Sequence, residues 1–498
     1  MEEYELIIIG SGPGGYHAAL RASQYGIKTA LIERKLLGGV CSNWGCIPTK
    51  VLQETAILIQ DISEKAKEFG VMIEEPIKID FEQAVKRKNQ VTDYLRQGIE
   101  GLLKKRNVSA YYGSGFIESG NHNDGFIVRI DPSGNPQLIE TVRIKGKYVI
   151  IGVGSKPAAL PQFNLDHKRI LDSDDILDPN FITNPKSIIF IGGGVIGCEF
   201  ANIFASIGSQ VTIIEYMETI LYTEEKRAVN ILLEKFKKLN IKVETSKNVI
   251  SIDNKGDHVE IEAVDAKVSH DQIENAPKTM YKAELCVICI NRKSSGDNIG
   301  SEQLGIQIEK GKIIVDSDTL ETNVKGIFAI GDVKGGMMLA HVASHEADVV
   351  VNNIGVELGK LKYPIRKPDY TTIPYTIFTY PEIAGIGLSE SKAKKLGKKS
   401  LVGRFYYSSL GKAQCVGSTE GFLELVVDPD NDLIIGAVCV GHSAPELISE
   451  ISVAMANKIK ARDLAHVVHS HPTMSEMVLE AVEDVYGLSI HKIGRPKL

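Results

Sequence analysis

The first forty residues alternate between two kinds of pattern. Residues 5–9, "ELIII", run apolar almost without a break, as a strand covered on both faces does. "GSGPGG" follows, and then "YHAALRASQYG", which reads as a helix. A second strand, "KTALIE", ends on Glu33. Gly10, Gly12 and Gly15 stand in G-x-G-x-x-G, and Glu33 lies 18 residues past the last of them. Strand, glycine turn, helix and distal acid together predict a dinucleotide site. The glycines let backbone N–H groups approach a pyrophosphate at a helix N-terminus, and the acid accepts hydrogen bonds from a ribose.

The same unit returns at 187–215. "SIIFIGGGVIGCEFANIFASIGSQVTIIE" places Gly192, Gly194 and Gly197 in the same spacing, with Glu215 again 18 residues past the last glycine. One chain therefore carries two dinucleotide sites, an arrangement suited to passing electrons between two cofactors.

Between and beyond these units the pattern changes. "RIKGKYVIIGVGSKP" (143–157) reads as a strand leading out of the first unit, and 241–270 alternates as a meander would. "KGIFAIGDV" (325–333) is a buried strand leading to Asp332, at a sheet end where ligands gather; "GGMMLAHVASHEADVVVNNI" after it reads as a helix. Charged, proline-bearing "GKLKYPIRKPDY" is a linker, followed by the hairpin "LELVVDPDNDLIIGAVCVG" and the amphipathic helix "APELISEISVAMANKIKA". The predicted fold class is α/β, with two Rossmann-like units and a separate C-terminal α+β domain.

Composition narrows the partners. At 498 residues, 43 % apolar and 24 % charged, the chain is a globular protein of several domains. A formal charge of −6 argues against nucleic acid or an acidic membrane as the main partner. No apolar run approaches the roughly 18 residues of a membrane span, and "MEEYELIIIG" has no basic n-region, so the expected compartment is the cytoplasm.

Seven cysteines are too sparse for a disulfide framework. Cys198, Cys286, Cys289, Cys415 and Cys439 read as small core residues. Cys286 and Cys289 sit three apart in a strand-like run and point to opposite faces, so a shared metal is not expected. The remaining two lie in "GGVCSNWGCIPTK" (38–50), where Cys41 and Cys46 could be buried thiols, metal ligands or a redox pair. No metal site is expected.

These motifs taken together resemble the flavin-dependent pyridine nucleotide–disulfide oxidoreductases, and within them the dihydrolipoamide dehydrogenase branch. The resemblance runs nearly end to end, through "GGVCSNWGCIPTK", both glycine fingerprints, "GDV", "MLAH", "YPEIAGIG", "TEGF" and "HSHPTMSE". It implies FAD in the first fingerprint and NAD in the second. Residues 1–148 would be the FAD-binding domain with the redox disulfide, 149–280 the NAD-binding domain, 281–358 a central segment completing the FAD site, and 368–498 the dimerisation domain.

The resemblance also assigns residues. It makes Cys41 the interchange thiol that meets substrate and Cys46 the thiolate against the flavin, with the start of a helix favouring the thiolate. Lys50 would sit by the flavin, paired with Glu199. Gly115, Asp332 and Ala340 would join Gly10, Gly12, Gly15, Glu33 and Lys50 around FAD; Gly192, Gly194, Gly197 and Glu215 would hold NAD. His471 would be the base for thiol exchange and Glu476 its orienter, while His469 is given no catalytic role. Implied partners are a second copy of the chain and dihydrolipoamide on the lipoyl domains of 2-oxo-acid dehydrogenase or glycine cleavage complexes.

The chain departs from the family in two places. Val153 stands where a hydroxyl residue is usual. In "CINRKSSGDNIG" (289–300), Asn291 replaces a glycine and Ser294-Ser295 replace a proline turn. Both bear on cofactor packing and flavin potential. Among rivals, a glutathione-type reductase would show arginines after the second fingerprint, where "IIEYMETI" has none. A mercuric reductase would end in vicinal cysteines, which "IHKIGRPKL" lacks, and a soluble transhydrogenase would lack the Cys41–Cys46 pair. A non-catalytic FAD-binding partner rests only on "CINRKSS".

Overall fold

The computed structural model describes residues 1–74, 77–158, 160, 162–300 and 302–494; the last four residues of the C-terminal segment read above lie outside that range. The first unit is a twisted sheet in the order 109–112, 29–33, 2–9, 142–151, 125–131 and 114–121, with 327–329 pairing to 142–151 as well. Strand Glu2–Ile9 lies parallel to both Thr29–Glu33 and Val142–Ile151. Leu6, Ile7 and Ile8 are fully buried, which is why that strand needs no polar face. Helices Pro13–Gln24 and Ala340–Glu357 pack together over it.

The second unit is a five-stranded sheet ordered 242–244, 210–214, 187–191, 285–288 and 170–172, parallel throughout. The expected meander is present but runs past 270: strands Lys247–Asn254 and Val259–Asp265 fall within the expected range, and the third, Thr279–Ala283, lies beyond it. The third unit is an antiparallel sheet ordered 374–377, 382–387, 434–441, 422–427 and 401–406, with helices Ala444–Ala456 and Glu476–Val485 packed on it.

Two sequence boundaries behave differently in three dimensions. Strand Val142–Ile151 runs straight across the expected boundary at 148–149. The segment 281–358 is shared: Leu285–Ile288 pairs with the second sheet, whereas Ile327–Ala329 and the helix Ala340–Glu357 belong to the first unit. That helix begins at Ala340 and not at Gly335, because Gly335 and Gly336 hold φ of +76° and +81°, outside the right-handed helical region.

The largest core cluster lies where the three units meet. It joins Leu52, Ala56, Phe81 and Val85 of the first to Phe200, Phe204 and Ile207 of the second and Ile377, Phe422 and Val440 of the third. Lys88, 1 % exposed, pins the same junction by donating to the carbonyls of Leu177 and Asp178 at 2.6 and 3.0 Å. Cys289 is buried in this cluster and Cys286 in a separate core of the second unit, in line with the strand reading, whereas Cys415 is exposed and not the core residue expected.

Candidate active site and its two nucleotide loops

The two glycine fingerprints fold alike, position by position. Gly10 and Gly192 adopt φ of +98° and +107°, in the left-handed region. A Cβ on Gly15 would meet the Gly10 carbonyl oxygen at 1.8 Å, and one on Gly197 would meet that of Gly192 at 2.0 Å. Each third glycine thus lets its helix close onto its strand. At the middle glycines, Gly12 and Gly194, a Cβ would have no heavy atom within 4 Å. Those positions cap the helices Pro13–Gln24 and Val195–Ser206, so the open space faces helix N-termini. A cradle of this form fits a pyrophosphate.

The distal acids are tied to their own loops. Glu33 accepts from the Ser11 N–H at 3.0 Å, the Ser11 hydroxyl at 2.6 Å and the Lys35 N–H at 2.7 Å. Glu215 accepts from the Gly193 N–H at 2.5 Å and the Met217 N–H at 2.7 Å. Each carboxylate is thereby held at the mouth of the loop it serves.

Cys41 lies in the short helix Gly39–Asn43, and Cys46 is the first residue of the twenty-residue helix Cys46–Lys65. Both are free thiols here. Their proton is shared unequally. Hydrogen bonding from Cys41, supported by the charge of Lys50, lowers Cys46 to about 7. Donating that bond, together with burial, drives Cys41 upward. These contacts therefore favour the thiolate on Cys46, one helical turn from Lys50.

Lys50 donates to Glu199 Oε2 at 2.8 Å, joining the thiol helix to the helix of the second fingerprint. Glu199 is 5 % exposed and its other oxygen accepts from the Phe378 N–H at 2.8 Å. The Phe378 ring also lies under the ammonium, 4.4 Å from ring centre to Nζ. All three units thus contribute to this one contact.

Asp332 caps the far side of the first unit. Its carboxylate accepts from the Ser155 hydroxyl at 2.6 Å, and Ser155 in turn accepts from Arg292 at 2.8 Å. Here the atypical segment finds its place. Arg292–Ser294 pairs with Ser155–Pro157, and Ser294, 2 % exposed, donates to the Asp332 carbonyl at 2.6 Å. A serine hydroxyl does locally what a proline turn cannot. Gly115 packs on Ile9 and Ile32, and Ala340 opens its helix after an extended Leu339.

His471 Nδ1 lies 2.8 Å from Glu476 Oε1, and the Thr473 N–H donates to Oε2 at 2.8 Å. Burial works against the Glu476 carboxylate, but these bonds outweigh it and hold its pKa below the usual range. His471 is 79 % exposed, flanked by exposed Val467 and Val468. His469 instead pairs with Glu450 at 2.7 Å and is 6 % exposed, a structural histidine.

Two contributors escaped the sequence reading. Phe378 offered no signal, since its N–H and ring act only through tertiary contact. Glu346 did offer one: a carboxylate within an otherwise apolar helical stretch. It is fully buried, accepts from the Gly331 N–H at 2.6 Å, and is met by Lys334 at 2.8 Å and Tyr370 at 2.7 Å. It therefore clamps the turn that carries Asp332. Among the described residues, the group His167, Asp172 and Asp175 could meet a cation, but its atoms are engaged locally. His167 pairs with Asp175 at 2.9 Å, and both acids cap the helix Ser173–Ile176. No helix among the described residues is long and apolar enough to cross a membrane.

Comparison with known proteins places this geometry. Residues 4–347 match the family described as pyridine nucleotide-disulphide oxidoreductase, and 373–482 match its dimerisation domain. The chain is 36 % identical over 497 residues to a dihydrolipoyl dehydrogenase of Rhizobium etli, covering 98 % of both chains. It is 35 % identical over 502 residues to one of Bacillus subtilis, covering 98 % of this chain and 99 % of that one. Among solved structures, LpdA of Mycobacterium tuberculosis shares the fold at a TM-score of 0.85 and 24 % identity, over 97 % of this chain and 99 % of that one. Two nucleotide cradles, a thiol pair at a helix start and a dimerisation domain thus occur together, and the chain belongs to the pyridine nucleotide-disulphide oxidoreductase family, which works with FAD and a pyridine nucleotide.

Proposed function

We propose that the chain is a dihydrolipoyl dehydrogenase, oxidising dihydrolipoamide to lipoamide and reducing NAD⁺. The observation that carries this is the thiol pair at the start of the helix Cys46–Lys65, with Lys50 one turn on and bonded to Glu199, where hydrogen bonding from Cys41 favours the thiolate on Cys46. Full-length similarity to two dihydrolipoyl dehydrogenases supports the choice of substrate.

The chemistry follows from that arrangement. With the pair oxidised, a substrate thiolate attacks Cys41 Sγ, and Cys46 departs as the better leaving group because its thiolate is the more stable. A mixed disulfide joins substrate and Cys41. His471, its tautomer fixed by Glu476, takes the proton of that attacking thiol, and the proton of the second substrate thiol passes to Cys41 as it leaves. That second thiolate closes on the substrate sulfur of the mixed disulfide, releases lipoamide and leaves Cys41 reduced. Bound FAD supplies the two-electron relay from the thiol pair to the nicotinamide. The residues at the two glycine loops would hold FAD and NAD, with Glu215 on the NAD ribose. Lys50 and Glu199, locked to each other, would fix the position of the ammonium beside the flavin.

His471 is exposed at the rim of the third unit, as a base that serves the other subunit of a homodimer must be. We place Cys41 of one subunit with His471 of the other. The partners are lipoyl domains of 2-oxo-acid dehydrogenase or glycine cleavage complexes, and the compartment is the cytoplasm. A panel of lipoamide, glutathione disulfide and a quinone, each with NADH and NADPH, tests the assignment. Lipoamide with NADH should lead by a wide margin; a lead for glutathione disulfide with NADPH would replace it.

A further inference from the structure

The Lys50–Glu199 contact is the inner end of a longer polar seam. The thiol helix Cys46–Lys65 and the fingerprint helix Val195–Ser206 run side by side, bridged a second time where Gln60 donates to the Ser206 hydroxyl at 2.8 Å. Between the two bridges lie Gln53 and Asn202. At about 100° per residue, positions 50, 53 and 60 share one face of the first helix, and 199, 202 and 206 share one face of the second. Those faces are turned toward each other, because both ends are bonded across.

Gln53 is 3 % exposed and Asn202 fully buried, so neither looks into an open cleft. Yet all four polar atoms of their two side-chain amides have no hydrogen-bond partner in the protein, and neither does Gln60 Oε1. Buried amides are satisfied in native proteins, and where protein groups do not do so, water does. The seam ends at the surface in an open depression of about 450 Å³, whose lining includes Ser63, Asn184 and Ser206. From Lys50 to Gln60 is about 15 Å along the helix, a span that a few waters bridge.

We propose that Gln53, Asn202 and Gln60 bind a string of ordered water that links the Lys50–Glu199 ion pair to solvent at the Ser206 depression and carries the proton of the reaction. The proposal rests on the activity assigned above. Dihydrolipoamide plus NAD⁺ gives lipoamide, NADH and one proton, so each turnover must discharge a proton to solvent. His471 handles protons at the substrate end. The water string is a second outlet, opening from the lysine that the resemblance places beside the flavin. Gln53 and Asn202 are positioning residues in this scheme: they hold the waters and touch neither substrate nor cofactor.

Two measurements test it, one without turnover. A high-resolution crystal structure of the holoenzyme should show ordered waters within hydrogen-bond distance of the Gln53 and Asn202 amides, and Gln53→Leu/Asn202→Leu should lack them. A structure in which the two amides bond directly to each other or to backbone, with no water, overturns the proposal. In rapid-reaction experiments with dihydrolipoamide, the double variant should retain its FAD and its affinity for NAD⁺. Its rate of NADH formation should fall by about tenfold and its solvent deuterium isotope effect should grow. Gln53→Ser, which keeps room for water and a hydroxyl to hold it, should stay near wild type. An unchanged isotope effect in the double variant overturns the proton role. Absence of lipoamide turnover in the wild type would instead overturn the assigned activity, and the crystallographic result would still decide whether the waters are there.

Discussion

Lys50 Nζ stands 2.8 Å from Glu199 Oε2, and the two residues come from different nucleotide units. The bond fixes the start of the thiol helix against the second fingerprint helix. Glu199 is buried, and its second oxygen is already committed to Phe378.

Removing the ammonium should therefore be costly. Lys50→Met leaves a buried carboxylate without its counter-charge and should destabilise the chain by about 2 kcal/mol. Lys50→Met/Glu199→Gln keeps the acceptor for Phe378 and removes the charge, and should recover at least half of that loss. Urea unfolding of the three proteins decides the point; a single variant as stable as wild type would show that solvent, not Glu199, satisfies the ammonium.

The reduced thiol pair should lose its first proton with a midpoint near 7, read by thiolate absorbance in the ultraviolet. Below that pH both sulfurs are protonated; above it Cys46 is the thiolate. Cys41→Ala removes the main cause, and the midpoint should climb toward the ordinary thiol value of about 8.5. A midpoint that stays near 7 would assign the shift to Lys50 alone.

Cys46→Ser should bind FAD, show no long-wavelength charge-transfer band on partial reduction, and lose lipoamide turnover. Oxidation of NADH by artificial acceptors should survive. Lipoamide turnover in that variant would remove Cys46 from the redox pair.

Glu215, anchored by the N–H groups of Gly193 and Met217, cannot swing away from a 2′-phosphate. NAD should beat NADP by at least about tenfold in kcat/KM, or about 1.4 kcal/mol. Equal efficiency would mean that the acid does not face the ribose.

Cys41→Ser and His471→Gln, each nearly inactive with lipoamide, should complement when the subunits are dissociated, mixed and reassociated. If sites form between chains, half of the dimers are hybrids with one intact site each, and about a quarter of wild-type activity returns. Verified exchange without recovery would make His471 a within-chain base or a bystander.

What could be read from the sequence follows from how local each feature is. The fingerprints were legible because strand, turn, helix and acid lie within about thirty residues, and their glycine spacing encodes backbone contacts directly. His471 and Glu476 are in contact only five positions apart, but the roles expected of them came from the resemblance and not from that spacing. The pairing of 285–288 with 187–191 was not legible, because a parallel partner nearly a hundred residues away leaves no local trace. The start of the helix at Ala340 was hidden by positive φ at two glycines. The value of Ser294 emerged only once Asp332 was found beside it, and Phe378 acts through a backbone N–H that every residue type shares.

The core cluster at the meeting of the three units carries a thermodynamic consequence. Leu52, Phe200 and Phe422 each lose packing if any one unit opens, so although each unit keeps a core of its own, none can open without cost to the other two. The chain should melt in a single transition despite its three sheets. A nucleotide at either glycine loop would then raise that one melting temperature for the whole molecule, and the dimerisation unit would report their occupancy as faithfully as the loops themselves.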